Sequence, residues 1–162
     1  MSLERFHEAQ AKRSGGYDTA LAEIRAGGKR SHWIWYIFPQ IEGLGSSSTA
    51  LAYALRDLGE ACDYLRDPVL RTRYEEILAA VGEQLNRGIC PEDLMGSQID
   101  ALKVVSSLTL FRTAAEQLAR EDPVYASLAE RLAASLEQTT KQGYPACDFT
   151  LARIDTVARD IE

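Results

Sequence analysis

Several large function classes depend on residues that this chain holds in short supply. Of its 162 residues only three are cysteine, Cys62, Cys90 and Cys147, an odd and widely spaced set. Such spacing fits reduced structural thiols, not a disulfide framework or a zinc site. The two histidines, His7 and His32, form no ligand-spaced pair, so no metal and no cofactor are expected. Apolar runs are short: Trp33 to Pro39 falls far below the ~20 residues that cross a bilayer. Met1 leads straight into Ser2-Leu3-Glu4-Arg5 without a basic-then-apolar leader. The expectation is a cytoplasmic protein with no membrane partner. Nor is there an excess of basic residues, since 18 Lys and Arg face 24 Asp and Glu for a net charge of −6. That balance argues against binding a long nucleic acid through its phosphates. No Ser or Cys sits in a nucleophile turn, which leaves covalent catalysis without a carrier.

What is present reads as a globular helical domain. Hydrophobic residues make up 46% and charged residues 26%, enough for one domain, residues 1–162, with its own core. Ser2 is placed to cap a first helix with Leu3, Phe6 and Gln10 at helical spacing and His7 on its polar side. Tyr17, Leu21 and Ile24 mark a second, ended by Gly27-Gly28. Asp57 is a cap for a helix through Leu65, and Val69 to Asn86 is a longer amphipathic one stopped at Gly88. Ser97 starts a helix through about Leu118, and Pro123 opens another through Leu136. Strand signals are nearly absent. The expected fold class is all-α, a compact bundle of about six to eight helices.

Charge and aromatics are unevenly spread. Residues 1–50 carry six basic and five acidic side chains, whereas the remaining residues carry twelve and nineteen. Between Glu23 and Glu42 there is no acid, and Arg25, Lys29 and Arg30 all fall there. Both tryptophans and four of the thirteen aromatics lie within Trp33 to Phe38. As a helix this stretch stacks Trp33 on Ile37 and Ile34 on Phe38; as a strand it aligns Trp33, Trp35 and Ile37. Periodicity does not choose between them. Aromatic walls beside Lys29 and Arg30 suit a base or sugar above a phosphate. Gln40 follows, and then Gly43-Leu44-Gly45-Ser46-Ser47-Ser48-Thr49 offers a turn running into a helix, whose backbone N–H and Ser hydroxyl donors, Gly45 and Ser47 among them, can assist an anion. Farther on, Asp100, Lys103, Ser107 and Phe111 share one narrow helical stripe. A buried Asp and Lys must pair or line a wet cavity, so this stripe either forms a plain ion pair or faces the aromatic segment across a cleft.

These residues resemble a bacterial and fungal family, domain of unknown function 1810. The pattern runs from Leu3-Glu4-Arg5-Phe6 through Gly28-Lys29-Arg30-Ser31-His32-Trp33-Ile34-Trp35-Tyr36-Ile37-Phe38-Pro39-Gln40 and Gly43-Leu44-Gly45. It continues through Asp100, Lys103, Ser106-Ser107 and Thr109-Leu110-Phe111, and ends on Gly143, Asp148 and Thr150-Leu151. The resemblance implies a compact, mainly helical fold and carries no activity with it. A fainter likeness is to the NAD- and ADP-ribose-associated (NADAR) superfamily of small helical N-glycosidases. That pattern sets a Glu beside its His, whereas here Ser31 precedes His32, so the carboxylate would have to be Asp100 or Asp148.

Two functional expectations follow. In the first, the chain binds or N-glycosidically processes a phosphorylated nucleotide-sugar of the ADP-ribose type. Lys29 and Arg30 hold phosphate with Gly45 and Ser47 assisting, and Trp33 or Trp35 stacks on base or ribose. Gln40, Lys103 and Ser107 line the ligand, and His32, Asp100 and Asp148 supply proton and charge. In the second, the protein is a non-catalytic helical one whose aromatic segment is core or an oligomer seam.

Overall fold

The computed structural model describes residues 3–161, with side chains as far as Asp155. All regular structure among them is helical: α1 Glu4–Gln10, α2 Tyr17–Arg25, α3 Ile34–Ile37, α4 Ser48–Tyr53, α5 Leu58–Arg66, α6 Pro68–Asn86, α7 Pro91–Leu94, α8 Gln98–Glu121, α9 Ala126–Lys141 and α10 Asp148–Ile161. A 3-10 turn, Pro123–Tyr125, precedes α9. The only extended pairing among the described residues is one parallel bridge between Ile41 and Leu55. Ten helices exceed the six to eight expected. The shortest are α3, α4 and α7, of four, six and four residues; α4 lies where the glycine–serine turn is expected to run into a helix, whereas α3 and α7 are too short to show a period in sequence.

Capping explains the longer boundaries. Asp57 accepts from Glu60 N–H at 2.8 Å and Ser97 from Asp100 N–H at 3.1 Å, as their positions predict. Asp67 caps α6 through Val69 and Leu70 N–H, and also holds His7 Nε2 at 2.7 Å. The Ser2 cap lies outside the described residues; Leu3 occupies the α1 N-cap position and supplies no side-chain bond. Gly27, at φ +98°, closes α2 in a left-handed turn that a side chain disfavours. Pro123 opens the 3-10 turn, and the helix beyond it runs on to Lys141. All three cysteines are free thiols, Cys62 buried and the others partly so.

The 24-residue α8 is the central element, packed against α5, α7 and α9, with every residue from Val104 to Phe111 buried. Around it lies an aromatic core in which Tyr74 sits 4.7 Å from Phe111 and 5.7 Å from Phe38, and Tyr64 sits 5.0 Å from Phe111, between ring centroids. The Tyr74 hydroxyl is satisfied there by Ser107 Oγ at 2.9 Å, both residues being sealed from solvent. Ser107→Ala is therefore expected to cost about 1–3 kcal/mol, because it strands a buried phenol. Tyr74→Phe costs less, since Ser107 turns back to the carbonyl one turn earlier. Urea denaturation of both variants measures the difference.

Candidate functional site

The loop from Gly27 to Trp33 is held from two sides. Lys29 N–H donates to Leu94 O at 2.8 Å, which ties the loop to α7. A Cβ at Gly96 would stand 3.2 Å from Lys29 O, so the small residue there lets the two chains approach. On the other side the Glu23 carboxylate accepts from Arg30 N–H at 2.7 Å, Ser31 N–H at 2.8 Å, Ser31 Oγ at 2.6 Å and Trp33 Nε1 at 2.9 Å. Burial alone would raise the Glu23 pKa, but the Ser31, Arg30 and Trp33 donors outweigh it and hold the group down to about 2.

This pinning sets Lys29 against α8. Lys29 Nζ lies 2.9 Å from Asp100 Oδ2, with 8% of the lysine side chain exposed, and Lys103 Nζ lies 3.5 Å from Asp100 Oδ1. Each ammonium also stands over an indole, Lys29 over Trp33 at 5.2 Å and Lys103 over Trp35 at 5.3 Å. The aromatic segment is helical, one turn long. It buries Trp33, Ile34, Tyr36, Ile37 and Phe38 in the core and leaves Trp35 half-buried.

On the α4 side, Trp35 is a wall of an open groove of about 440 Å³ whose lining also includes Lys12, His32, Tyr36, Ser48, Thr49 and Tyr53. Lys12 Nζ stands 5.4 Å over the Tyr36 ring. Three lysines from three separate segments thus converge on the aromatic rings of Trp33, Trp35 and Tyr36. Asp100 partners two of them, whereas Lys12 has no carboxylate partner among the described residues. A larger hollow of about 650 Å³ between α6 and α9 is lined by Asn86, Glu137, Gln138 and Lys141 and has no aromatic wall.

Of the residues singled out in sequence, Lys29, Asp100, Lys103, Trp33 and Trp35 form one connected cluster. His32 lies across Trp35 in the groove. The rest stand apart from both. Ser107 is in the core against Tyr74, and Arg30 is exposed. Gln40 is half-buried, its carbonyl accepting from Leu55 N–H at 2.8 Å. Gly45 packs so closely that a Cβ would fall 2.6 Å from that of Ala50, and Ser47 caps α4 through Ala50 N–H. Asp148 is exposed at the start of α10 and makes no ion pair with the cluster among the described residues. Sequence reading missed Glu23 and Lys12, whereas Ser48 and Thr49 belong to the serine run it offered as anion donors without choosing among its hydroxyls.

The profile of the family described as Protein of unknown function (DUF1810) matches residues 1–142. The chain belongs to this family. The match takes in the whole lysine–aromatic cluster and the groove; α10 lies beyond it. Among solved structures, the DUF1810 chain is similar to the conserved hypothetical protein Rv1873 from Mycobacterium tuberculosis. Their identity is 35% and the TM-score 0.76, over 93% of this chain and 94% of that one. No curated protein matches. No helix among the described residues is long and apolar enough to cross a membrane.

Proposed function

We propose that this DUF1810 protein binds a small phosphorylated, nucleotide-like ligand in the groove walled by Trp35. The carrying observation is an unpaired cation beside aromatics: in a protein of net charge −6, Lys12, Lys29 and Lys103 gather around one turn of aromatics, and Asp100 partners only the last two, which leaves Lys12 in the groove with no carboxylate partner among the described residues. A half-buried indole offers a stacking face for a planar base, and the cations favour an anion at its side. Lys29 contributes to this field as a structural charge, because Asp100 already engages it at 2.9 Å. N-glycosidic cleavage in this setting would take its proton from His32. Its carboxylate would be Asp100, which two lysines already partner. Binding is accordingly the stronger reading.

Thermal denaturation with ADP-ribose, NAD, AMP, sugar phosphates and plain phosphate tests it. A ligand at a hundred times its Kd adds about 2.7 kcal/mol, a rise of roughly 5–10 °C for a domain of this size. The expected result is a rise with the base-bearing phosphates that disappears in Trp35→Leu. Chromatography of the same mixtures for a released base reads turnover. If no compound raises the melting temperature, the reading is wrong.

A further inference from the structure

The three lysines around α3 are not equivalent, and their difference locates the phosphate. Lys29 is nearly sealed from solvent on Asp100, and Lys103 shares the same carboxylate from 3.5 Å. Both lie outside the lining of the groove, whereas Lys12 lies in it. Lys12 is exposed, contacts the Tyr36 ring and has no carboxylate partner among the described residues. Its three N–H donors and uncompensated charge are available to an incoming group. Ser48 and Thr49, whose hydroxyls make no hydrogen bond among the described residues, and the exposed His32 line the same groove.

Building on the binding reading above, we infer that Lys12, Ser48 and Thr49 form the subsite for a terminal phosphate monoester, whose attached ring system stacks on Trp35. A monoester fits this donor set: its three terminal oxygens ask for several N–H and O–H donors clustered around one positive charge. Cationic ligands are disfavoured. Lys12 lines the groove and repels a second positive charge, and no carboxylate is among the described residues of its lining to attract one. A polymer backbone is disfavoured as well, because it needs a broad basic footprint and this chain carries a net charge of −6.

Calorimetric titration with AMP, adenosine, inorganic phosphate and tetramethylammonium separates the possibilities. In the wild-type protein AMP is expected to bind at least tenfold tighter than adenosine, and tetramethylammonium not to bind. Lys12→Met should erase the AMP advantage while leaving adenosine affinity within twofold, and Lys12→Arg should restore most of it. Trp35→Leu should weaken adenosine and AMP alike. A phosphate advantage that survives Lys12→Met, or that is lost instead in Lys103→Met, overturns the subsite while leaving the groove as the binding site. Failure of both AMP and adenosine to bind the wild-type protein overturns the groove reading and the subsite with it. Lys12 is exposed, so an unchanged far-UV spectrum and melting temperature are expected for its variants.

Discussion

Asp100→Asn is expected to cost about 3 kcal/mol of stability, and Lys29→Met only about 1 kcal/mol, although the two remove opposite ends of one ion pair. The asymmetry comes from what each change leaves behind. Lys29 keeps only 8% of its side chain exposed, and its ammonium sits 2.9 Å from Asp100. Without the carboxylate that charge stays under the surface beside the Trp33 ring with no countercharge, the costly way to break a buried pair. Losing Lys29 leaves Asp100 still facing Lys103 at 3.5 Å. Methionine meanwhile keeps the alkyl contact with Trp33. Urea midpoints for the two single variants, with Lys103→Met as a third, give the comparison. Equal costs for Asp100→Asn and Lys29→Met would mean that Lys103 contributes nothing to holding Asp100. In that case the cluster is a simple pair.

How far the chain could be read in advance depended on how each feature is encoded. Helices whose period extends over several turns and whose first residue is a capping Asp or Ser were legible. Asp57 starts α5 and Ser97 starts α8 as their spacing predicts. The one-turn elements were not, since four residues of α3 or α7 fit a helix, a strand or a turn equally well. The Asp100–Lys103 stripe left two readings, a plain ion pair or a face toward the aromatic segment, and Asp100 fits both by pairing with Lys103 at 3.5 Å and with Lys29 at 2.9 Å. The stripe reading overreached at Ser107: along α8 the stripe leaves the cleft edge and enters the core, where the Tyr74 hydroxyl takes the serine. The approach of Lys12 to Ser48 and Thr49 was hidden for a different reason. Their meeting is created by the packing of α1, α3 and α4, which no local period records. Glu23 did leave a trace, as the last acid before a basic, donor-rich loop. Consecutive free N–H groups at Arg30 and Ser31 require an acceptor, and Glu23 is it.

Glu23→Ala is expected to cost about 2–3 kcal/mol and to loosen the Gly27–Trp33 loop, because four donors lose their common acceptor at once. Glu23→Gln costs less, since its amide oxygen still accepts from the Arg30, Ser31 and Trp33 N–H groups, while the charge is lost and the Ser31 hydroxyl must turn to accept from the new NH2. The charge has its own signature. Moving a carboxyl from the usual 4.5 to about 2 corresponds to about 3 kcal/mol at full strength, and partial contact with solvent reduces that to about 2 kcal/mol. The folded value lies below the unfolded one, so this stability is complete above about pH 5 and drains away as pH falls toward 2, with roughly half gone by pH 3. Urea denaturation of wild type and Glu23→Gln at pH 6, 4 and 3 isolates it, since the other acids titrate alike in both proteins. The gap between them should narrow by about 1 kcal/mol from pH 6 to pH 3. A constant gap would mean that the loop is held by hydrogen-bond geometry alone and that the negative charge contributes nothing. The loop also carries Lys29 and leads directly into His32 and Trp35. Glu23→Gln should therefore weaken ligand binding less than Glu23→Ala, and calorimetry of the two variants at pH 7 shows whether the order of stability is also the order of affinity.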